Sequence, residues 1–213
     1  MNTITLDHVV PQAFEADMSR TEIWDKPATF RRGERVRIEA SSGSGKTTLC
    51  SFIMGMRSDY SGKILFDDIT AKSLSSIAWS CVRQKALSWL PQEIGLFPQL
   101  TLRENITLKN GLTGYRSTAW IDEACDSLGL RGCLDRQASH LSVGQQQRGA
   151  LVRALCQPMD FLLLDEPVSH LDAGWNTAAA SLVDRELRAS GAGLILTSVG
   201  HHLDILIDTC LTL

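Results

Sequence analysis

Polar and apolar residues alternate just before residue 40, and the pattern changes at once beyond it. In residues 35–40 the alternation puts Val36, Ile38 and Ala40 on one face, which predicts a β-strand. A run of serines and glycines follows. Beyond this run the apolar spacing is helical, which predicts a helix whose buried face carries Leu49, Phe52, Ile53 and Met56.

Further along the chain, short apolar runs alternate with helical patterns. Residues 161–164 are continuously apolar, which is typical of parallel strands buried on both faces, and residues 194–197 repeat this buried-strand pattern. The remaining elements predicted are strands at 63–67 and 86–90, mostly helical sequence over 101–156, a helix over 174–190 and a final strand before residue 213. Strands alternating with helices predict an α/β fold with a helical insertion between about 95 and 155.

Composition places the chain among globular proteins and excludes several function classes. It has 213 residues, 44% of them hydrophobic, and a formal net charge of −3. This length predicts a single domain, and no apolar run reaches the roughly 18 residues of a membrane span. Because affinity for nucleic acid comes from clustered Lys and Arg, a nucleic-acid partner is not expected. The first ten residues lack the pattern of a secretory signal, so we expect a cytoplasmic protein.

Six cysteines are dispersed along the chain. They occupy positions 50, 81, 125, 133, 156 and 210, and no CxxC pair is present. Without an export signal, buried and reduced thiols are favoured over disulfides.

The serine–glycine run is the strongest local candidate for a binding site. Glycines let the backbone turn its N–H groups toward an anion, and the following helix adds the positive end of its dipole. Lys46 is expected to reach the β- and γ-phosphates of a nucleotide, and the Thr47 hydroxyl to bind Mg²⁺. The predicted nucleotide-binding loop comprises Ala40, Ser41, Ser42, Gly43, Ser44, Gly45, Lys46, Thr47 and Thr48.

One position of this loop departs from the P-loop pattern GxxxxGK[ST], because Ala40 stands where that pattern has glycine. Alanine fits poorly if this residue needs a positive φ. The alternative interpretation is a loop that caps a helix and carries an unrelated lysine.

Two acids follow the apolar run at 161–164. At the carboxyl end of a parallel strand, Asp165 is expected to hold Mg²⁺ through water, and Glu166 to polarise the water that attacks the γ-phosphate. The alternative is a strand end with solvated acids.

Several motifs, taken together, resemble those of ATP-binding cassette (ABC) ATPases. Residues 141–148, LSVGQQQR, resemble the LSGGQ signature; residues 169–172, SHLD, resemble the D-loop; and residues 90–92, LPQ, resemble the Q-loop. The resemblance implies a P-loop NTPase core with a mainly parallel sheet, an N-terminal antiparallel β segment and a helical subdomain. It also implies that ATP and Mg²⁺ are the bound molecules.

In this family two subunits meet head to tail, so the resemblance implies that each ATP lies between the loop of one subunit and the signature of the other. Ser142, Gly144 and Gln145 then contact the nucleotide across the interface, and Asp172 belongs to the D-loop there. Gln92 is expected near Mg²⁺ and the attacking water, with its loop touching a membrane permease. The implied partners are that permease and a second ATP-binding subunit.

Two further positions depart from the family pattern. Val143 replaces the first glycine of the signature. Ser198 occupies the position of the switch histidine that normally contacts the γ-phosphate, and a serine carries no positive charge near pH 7. His201 and His202 are able to substitute only if the loop after the strand folds back; otherwise they are surface histidines.

The aromatic residue that stacks on adenine is expected before the loop, with Phe14 as first candidate and Trp24 as second, although either ring can equally belong to the core. The arginines within residues 31–37 are expected to form a solvated face.

The resemblance implies the ATPase subunit of a transporter, located on the cytoplasmic face of the inner membrane. Residues 78–92 are similar to the lipoprotein-release, macrolide-export and cell-division branch. With altered residues at 40, 143 and 198, the alternative is a binding module that closes on ATP with little turnover.

Overall fold

The computed structural model describes residues 1–12, 21–41, 43–169 and 171–213. Within these ranges, nine strands form two sheets and six α-helices accompany them. The strands are β1 (Thr3–Pro11), β2 (Ala28–Arg31), β3 (Arg35–Glu39), β4 (Tyr60–Phe66), β5 (Ile69–Thr70), β6 (Leu87–Leu90), β7 (Phe161–Asp165), β8 (Gly193–Ser198) and β9 (Thr209–Thr212). The helices are α1 (Lys46–Ile53), α2 (Ser76–Lys85), α3 (Leu102–Gly111), α4 (Thr118–Ser127), α5 (Val143–Ala154) and α6 (Ala173–Ser190).

A five-stranded parallel sheet forms the centre of the fold, in the order β6-β7-β8-β3-β9. Its strands β7 and β8 contain the two predicted buried-strand segments, and every residue in both strands is buried. Because all strands run the same way, their carboxyl ends share one edge of the sheet. In the register of this sheet, Asp165 lies opposite Thr197, and Ser198 lies opposite Glu39.

A second sheet is antiparallel and has the order β2-β1-β4-β5. It confirms the antiparallel β segment implied near the N-terminus. Along β1 the side chains of Ile4 and Leu6 are fully buried on one face, while Thr3 and Thr5 are partly exposed on the other. A register shift between Asp7 and Val10 lets β1 continue its pairing with β4.

Three helices lie between β6 and β7, where mostly helical sequence was predicted. Hydroxyl side chains begin all three: Thr101 caps α3, Ser117 caps α4 and Ser142 caps α5. Such caps satisfy backbone N–H groups that have no partner within the helix. Leu102, Ile106 and Ile121 from α3 and α4 pack with α5, β7 and α6 in a common apolar core. None of the helices in the described part of the chain has the length and apolar character needed to cross a bilayer.

The helix after the serine–glycine run is shorter than its apolar spacing predicted. Leu49, Phe52 and Ile53 are buried as expected, but α1 ends at Ile53 and Met56 is 56% exposed. Gly55, at φ +62°, follows the helix end, and the left-handed region takes the chain away from the helix axis.

The cysteines are all free, but burial was predicted correctly for only four of them. Cys81 and Cys210 are exposed, and the other four are buried. Burial raises the pKa of both Cys125 and Cys156 to about 12, because an apolar environment disfavours the charged thiolate.

We therefore expect a thiol reagent at pH 8 to modify Cys81 and Cys210 rapidly in the folded protein. At this pH only about one in ten thousand of the thiols at Cys125 and Cys156 is a thiolate, the reactive form. Raising the pH increases this fraction. Mass spectrometry of labelled peptides measures the outcome, with guanidinium-unfolded protein as the control in which all six react. Fast labelling of any third cysteine in the folded protein contradicts this burial.

A buried carboxylate joins the helices between β6 and β7 to α6. Glu186 of α6 accepts hydrogen bonds from Arg116, from Trp120 Nε1 at 3.2 Å and from Arg185 Nε at 3.1 Å. Arg116 also stacks on the Trp120 ring, with its guanidinium carbon 4.1 Å from the ring centroid. Glu186 is 3% exposed, so its charge depends on these partners.

Replacing Glu186 by Gln is expected to lower the free energy of unfolding by about 3 kcal/mol, because the substitution leaves the largely buried Arg116 without a counter-charge. The matched control is Glu123→Gln: Glu123 is exposed and pairs with Arg185 at 2.8 Å, so its loss should cost less than about 1 kcal/mol. Urea unfolding followed by circular dichroism measures both. If the two variants lose equal free energy of unfolding, the larger effect expected from the burial of Glu186 is contradicted.

Candidate functional site

Four of the predicted site segments meet at the carboxyl edge of the parallel sheet. The serine–glycine loop follows β3, Gln92 follows β6, Asp165 and Glu166 lie at the end of β7, and Ser198 ends β8. A cavity of about 400 Å³ opens at this edge. Its lining residues are Gly43, Gly45, Lys46, Thr47, Thr48, Gln92 and Glu166.

The loop has the backbone that an anion-binding turn needs. Gly43 and Gly45 have φ values of 82° and 100°, a region that glycine adopts without steric cost. Gly45 is also the N-cap of α1, so the first N–H groups of this helix point toward the cavity side. Ala40 is not among the residues with positive φ in the described chain, so alanine fits here and the concern raised by the sequence is removed.

Lys46 extends from the first turn of α1 back into the loop. Its ammonium donates to the Ser41 carbonyl at 2.9 Å and lies 3.5 Å from Glu166 Oε1. The residue is only 5% exposed, so this cation is held among oxygen atoms at the wall of the cavity. A phosphate group entering the cavity would find this charge already in place.

The oxygen-bearing side chains of Gln92 and Asp165 lie within hydrogen-bond reach of Thr47, which is next to Lys46 in the loop. Thr47 Oγ1 donates to Asp165 Oδ2 at 2.7 Å and lies 3.2 Å from Gln92 Oε1. Thr197 Oγ1 donates to the other carboxylate oxygen of Asp165. Hydroxyl, carboxylate and amide oxygens are the ligands that Mg²⁺ prefers, so the residues present fit this ion. No group of three or more His, Cys, Asp and Glu side chains able to hold a metal occurs in the described ranges.

Glu166 is oriented by its backbone. Its φ of 50° is in the left-handed region, which is uncommon for residues other than glycine. The backbone is fixed by Glu166 N–H donating to the Thr197 carbonyl and by Gln147 Nε2 donating to the Glu166 carbonyl, both at 3.1 Å. The carboxylate therefore faces the cavity, where Gln92 Nε2 lies 3.5 Å from Oε2. Sequence reasoning missed Gln147, although it lies within the LSVGQQQR segment.

The signature and D-loop residues do not lie at this cavity in the described part of the chain. Ser142 is the N-cap of α5, and its side chain and that of Gln145 form a reciprocal capping box. Val143 is 48% exposed, and Gly144 follows it in the same first turn. Asp172 caps α6 by accepting from Trp175 N–H at 3.0 Å. These residues are thus outside the pocket formed by their own loop.

Ser198 is nearly fully buried, with 2% exposure, and its side chain is not free. Its Oγ lies 3.0 Å from Nδ1 of His202, so the loop after β8 does fold back. Of the two histidines that the sequence offered as substitutes, the loop brings His202 to Ser198 and leaves His201 exposed.

Of the two aromatic residues predicted to stack on adenine, the structure describes only Trp24. Phe14 lies outside the described residues, as does Ser42 of the loop. Trp24 is 1% exposed and packs edge-on against Phe52, with ring centroids 6.3 Å apart. It has no exposed face for a base, so Trp24 is a core residue and that candidate was wrong. Its Nε1 instead donates to the Ser44 carbonyl at 3.4 Å and supports the phosphate loop.

The arginines of residues 31–37 were expected to be solvated, but two of them make ion pairs with acidic side chains. Arg32 pairs with Asp160 at 2.9 Å, and Arg35 pairs with Asp184 at 2.6 Å. These contacts tie the strand before the phosphate loop to the elements beside it.

Comparison with known proteins agrees with this geometry. The model of the ABC transporter family matches residues 26–169. The chain belongs to this family and is an ATPase that binds ATP.

Individual relatives extend the comparison over most of the chain. The thiamine import ATP-binding protein ThiQ of Yersinia pseudotuberculosis is 39% identical over 177 residues, which are 81% of this chain and 71% of that protein. The Fe(3+) ions import ATP-binding protein FbpC 2 of Pectobacterium atrosepticum is 34% identical over 195 residues, which are 90% of this chain and 54% of that protein. The solved dimeric cassette MJ0796 superimposes with a TM-score of 0.77 at 24% identity, covering 91% of this chain and 87% of that one.

Proposed function

We propose that this chain hydrolyses Mg²⁺–ATP in the cavity at the carboxyl edge of the parallel sheet and so powers a transporter. Residues 1–213 would act as one ATP-binding domain, with residues from about 95 to 155 as its helical subdomain. The observation that carries the proposal is the convergence of Lys46, Thr47, Gln92 and Glu166 on one cavity, with Asp165 bonded to Thr47.

Each of these residues has a distinct part in the proposed reaction. The loop N–H groups and the Lys46 ammonium bind the β- and γ-phosphates. Thr47, Gln92 and Asp165 would hold Mg²⁺, which supplies positive charge that stabilises the phosphates when it is bound. Glu166 accepts a proton from water as the water oxygen bonds to the γ-phosphorus. The bond from that phosphorus to the β–γ bridging oxygen breaks, which leaves ADP and inorganic phosphate.

The signature residues support a site completed by a second subunit. Ser142 and Gly144 lie at the N-terminus of α5, where backbone N–H groups and the helix dipole favour an anion, yet they are not among the residues that line the cavity of their own chain. A second copy or a related subunit, docked head to tail, would bring its signature to this ATP. The Ser142 hydroxyl accepts the Gln145 N–H and still has its own hydrogen to donate.

The membrane partner is proposed from the family and its relatives. A separate permease would supply the membrane passage, and this chain would bind it at the cytoplasmic face of the inner membrane through the segment around Gln92. The relatives compared above are named for the import of thiamine and Fe(3+), so we favour a solute importer. The lipoprotein-release branch suggested by residues 78–92 is not confirmed by these relatives.

Phosphate release by the purified chain tests this function. Turnover of ATP should require Mg²⁺, should rise more than linearly with protein concentration because two subunits form each site, and should increase with the permease present. Asp165→Asn should raise the Mg²⁺ concentration needed for half-maximal turnover, because a neutral amide binds Mg²⁺ more weakly than a carboxylate. Turnover that is insensitive to EDTA, or strictly proportional to protein concentration down to the lowest level measured, would count against it.

A second candidate is an ATP-dependent binding module, which the uncharged Ser198 at the end of β8 favours. In that case ATP would hold two subunits together, and hydrolysis would be too slow to drive a cycle. Light scattering with ATP, followed over many minutes, separates the two. A dimer that persists in Mg²⁺–ATP as long as it does with a non-hydrolysable analogue supports the module, and one that dissociates as phosphate appears supports the motor.

A further inference from the structure

The Glu166 carboxylate is held only loosely by its own side-chain contacts. One of its oxygens lies 3.5 Å from the Lys46 ammonium, and the other lies 3.5 Å from Gln92 Nε2. Strong hydrogen bonds of these types are roughly 2.7 to 3.2 Å long, so both contacts are weak. The direction of the side chain is therefore decided mainly by the backbone at residue 166.

This backbone is held away from its preferred conformation. The φ of Glu166 is 50°, in the left-handed region that side chains other than glycine seldom adopt. The next residue is Pro167, and proline favours extended backbone in the residue before it. A residue in such a conformation stays there only while neighbouring groups fix it. Without them, residue 166 would return to the extended region and its carboxylate would turn with it.

The neighbouring groups act on both peptide groups of residue 166. Its N–H donates to the Thr197 carbonyl at 3.1 Å. Its carbonyl accepts from Gln147 Nε2 at 3.1 Å and from Ser169 Oγ at 3.2 Å. Ser169 lies in the same turn and would move with residue 166, whereas Gln147 belongs to α5. Of these two donors, Gln147 is thus the one that ties the carbonyl to a separate element.

The part of α5 that carries Gln147 is itself firmly packed. Gln147 is 3% exposed. The guanidinium carbon of Arg148 lies 3.9 Å from the centroid of the Trp175 ring in α6. On the other side, a Cβ added at Gly149 would lie 2.4 Å from a methyl carbon of Leu102 in α3, so these two helices approach closely. The Gln147 amide therefore reaches residue 166 from a rigid, buried position.

We propose that Gln147 is a positioning residue for ATP hydrolysis, an inference that rests on the proposed function. Its amide keeps residue 166 in the left-handed conformation that aims the carboxylate at the cavity. Gln147 is not among the residues that line this cavity, so its side chain acts through Glu166 and not on the nucleotide. Its loss should slow the hydrolysis step and leave nucleotide binding unchanged.

The variant Gln147→Met tests this separation, because methionine has a similar length but no N–H to donate. Its kcat should fall at least about tenfold, since a misplacement of about 1 Å at a reacting group can cost about 100-fold. Its affinity for a non-hydrolysable ATP analogue should stay within about twofold. Phosphate release and titration calorimetry measure the two quantities. A smaller loss of kcat overturns the inference.

The matched control is Gln157→Met, the same change at another buried glutamine. Gln157 is 1% exposed, and its Nε2 donates to the carbonyls of Arg83 at 3.0 Å and Leu87 at 2.9 Å. Its loss should lower the thermal unfolding midpoint but leave kcat unchanged. If kcat falls equally in both methionine variants, general loss of stability explains the result and the inference is wrong.

A second variant, Gln147→Asn, keeps an amide in the buried position but is one methylene shorter, so it cannot reach the Glu166 carbonyl. Its kcat should fall as in Gln147→Met, with unchanged analogue affinity and circular dichroism spectrum as evidence that it is folded. An Asn variant that is folded and turns over ATP at the rate of the unmodified chain overturns the inference.

Combining Gln147→Met with Glu166→Gln shows whether the first residue acts through the second. Residues that work as one unit have non-additive effects. The double variant should therefore hydrolyse ATP within about twofold of the rate of Glu166→Gln alone. A further loss as large as the one that Gln147→Met causes in the unmodified chain would show that Gln147 acts by another route.

The two proposals fail in distinguishable ways. If the unmodified chain releases no phosphate from ATP, or releases it as fast as Glu166→Gln does, the proposed function itself is wrong. If Glu166→Gln slows hydrolysis but Gln147→Met does not, only the role of Gln147 is wrong.

Discussion

Replacing Glu166 by Gln is expected to slow ATP hydrolysis about 1,000-fold while leaving ATP binding intact. Glutamine has nearly the same shape but cannot accept a proton from the attacking water, and a positioned general base contributes about 10² to 10⁴ to a rate. The left-handed backbone of residue 166 is held by Thr197 and Gln147 through backbone atoms, so the substitution leaves the orientation of the side chain unchanged.

ATP affinity of the Glu166→Gln variant should be equal or higher. The Glu166 carboxylate lies 3.5 Å from the Lys46 ammonium, so its removal leaves that cation wholly available to phosphate and removes a negative charge from the cavity. Phosphate release gives the rate, and titration calorimetry with a non-hydrolysable analogue gives the affinity.

The matched control for this prediction is Glu93→Gln, the same chemical change at an exposed residue next to Gln92, for which we expect the rate of the unmodified chain. A Glu166→Gln variant that retains more than about a tenth of that rate would show that another group accepts the proton.

Replacing Lys46 by Ala is expected to weaken ATP binding about 100-fold. The residue is 5% exposed, and its ammonium has the Ser41 carbonyl and the Glu166 carboxylate as neighbours. Bound phosphates would lose a charge-assisted hydrogen bond in a largely buried position, where such bonds are strongest. The Glu166 carboxylate would also lose the cation beside it and would then repel the phosphates.

Thermal unfolding gives a convenient measure of this loss. ATP that binds only the folded state raises the midpoint of unfolding, so the rise seen at 1 mM Mg²⁺–ATP should nearly vanish in Lys46→Ala. Lys63→Ala, at an exposed position of β4, should leave the rise unchanged. An ATP affinity within about threefold of the unmodified chain would contradict the position assigned to Lys46.

The core strands of the fold could be predicted because their signal is local. The alternation in residues 35–40 and the apolar runs at 161–164 and 194–197 each became a strand of the parallel sheet. Period-2 alternation is typical of a half-buried strand, and a continuous apolar run of about four residues is shorter than a buried helix. The strands β1 and β2 were implied only through the family resemblance, since their burial depends on β4 and α1.

The side chains around the phosphate loop show where local reasoning stops. A tryptophan at position 24 can either stack on a ligand or fill the core, and the residue type alone does not separate these two roles. Its packing against Phe52 and the hydrogen bond of its Nε1 to Ser44 decide the matter. For Ala40 the uncertainty concerned a backbone angle, and this angle is set by the strand and loop on either side rather than by the residue itself.

Sequence by itself determined the chemistry available to this protein: a lysine and a threonine after a glycine-rich turn, and two acids after a buried strand. The tertiary structure decided the contacts through which these groups meet, because strand order is set by long-range pairing that no local pattern encodes. It placed β8 between the acids and the loop, and it folded the next segment back until His202 reached Ser198. A contact four residues apart in sequence depended on Asn176, 26 residues away, to hold it.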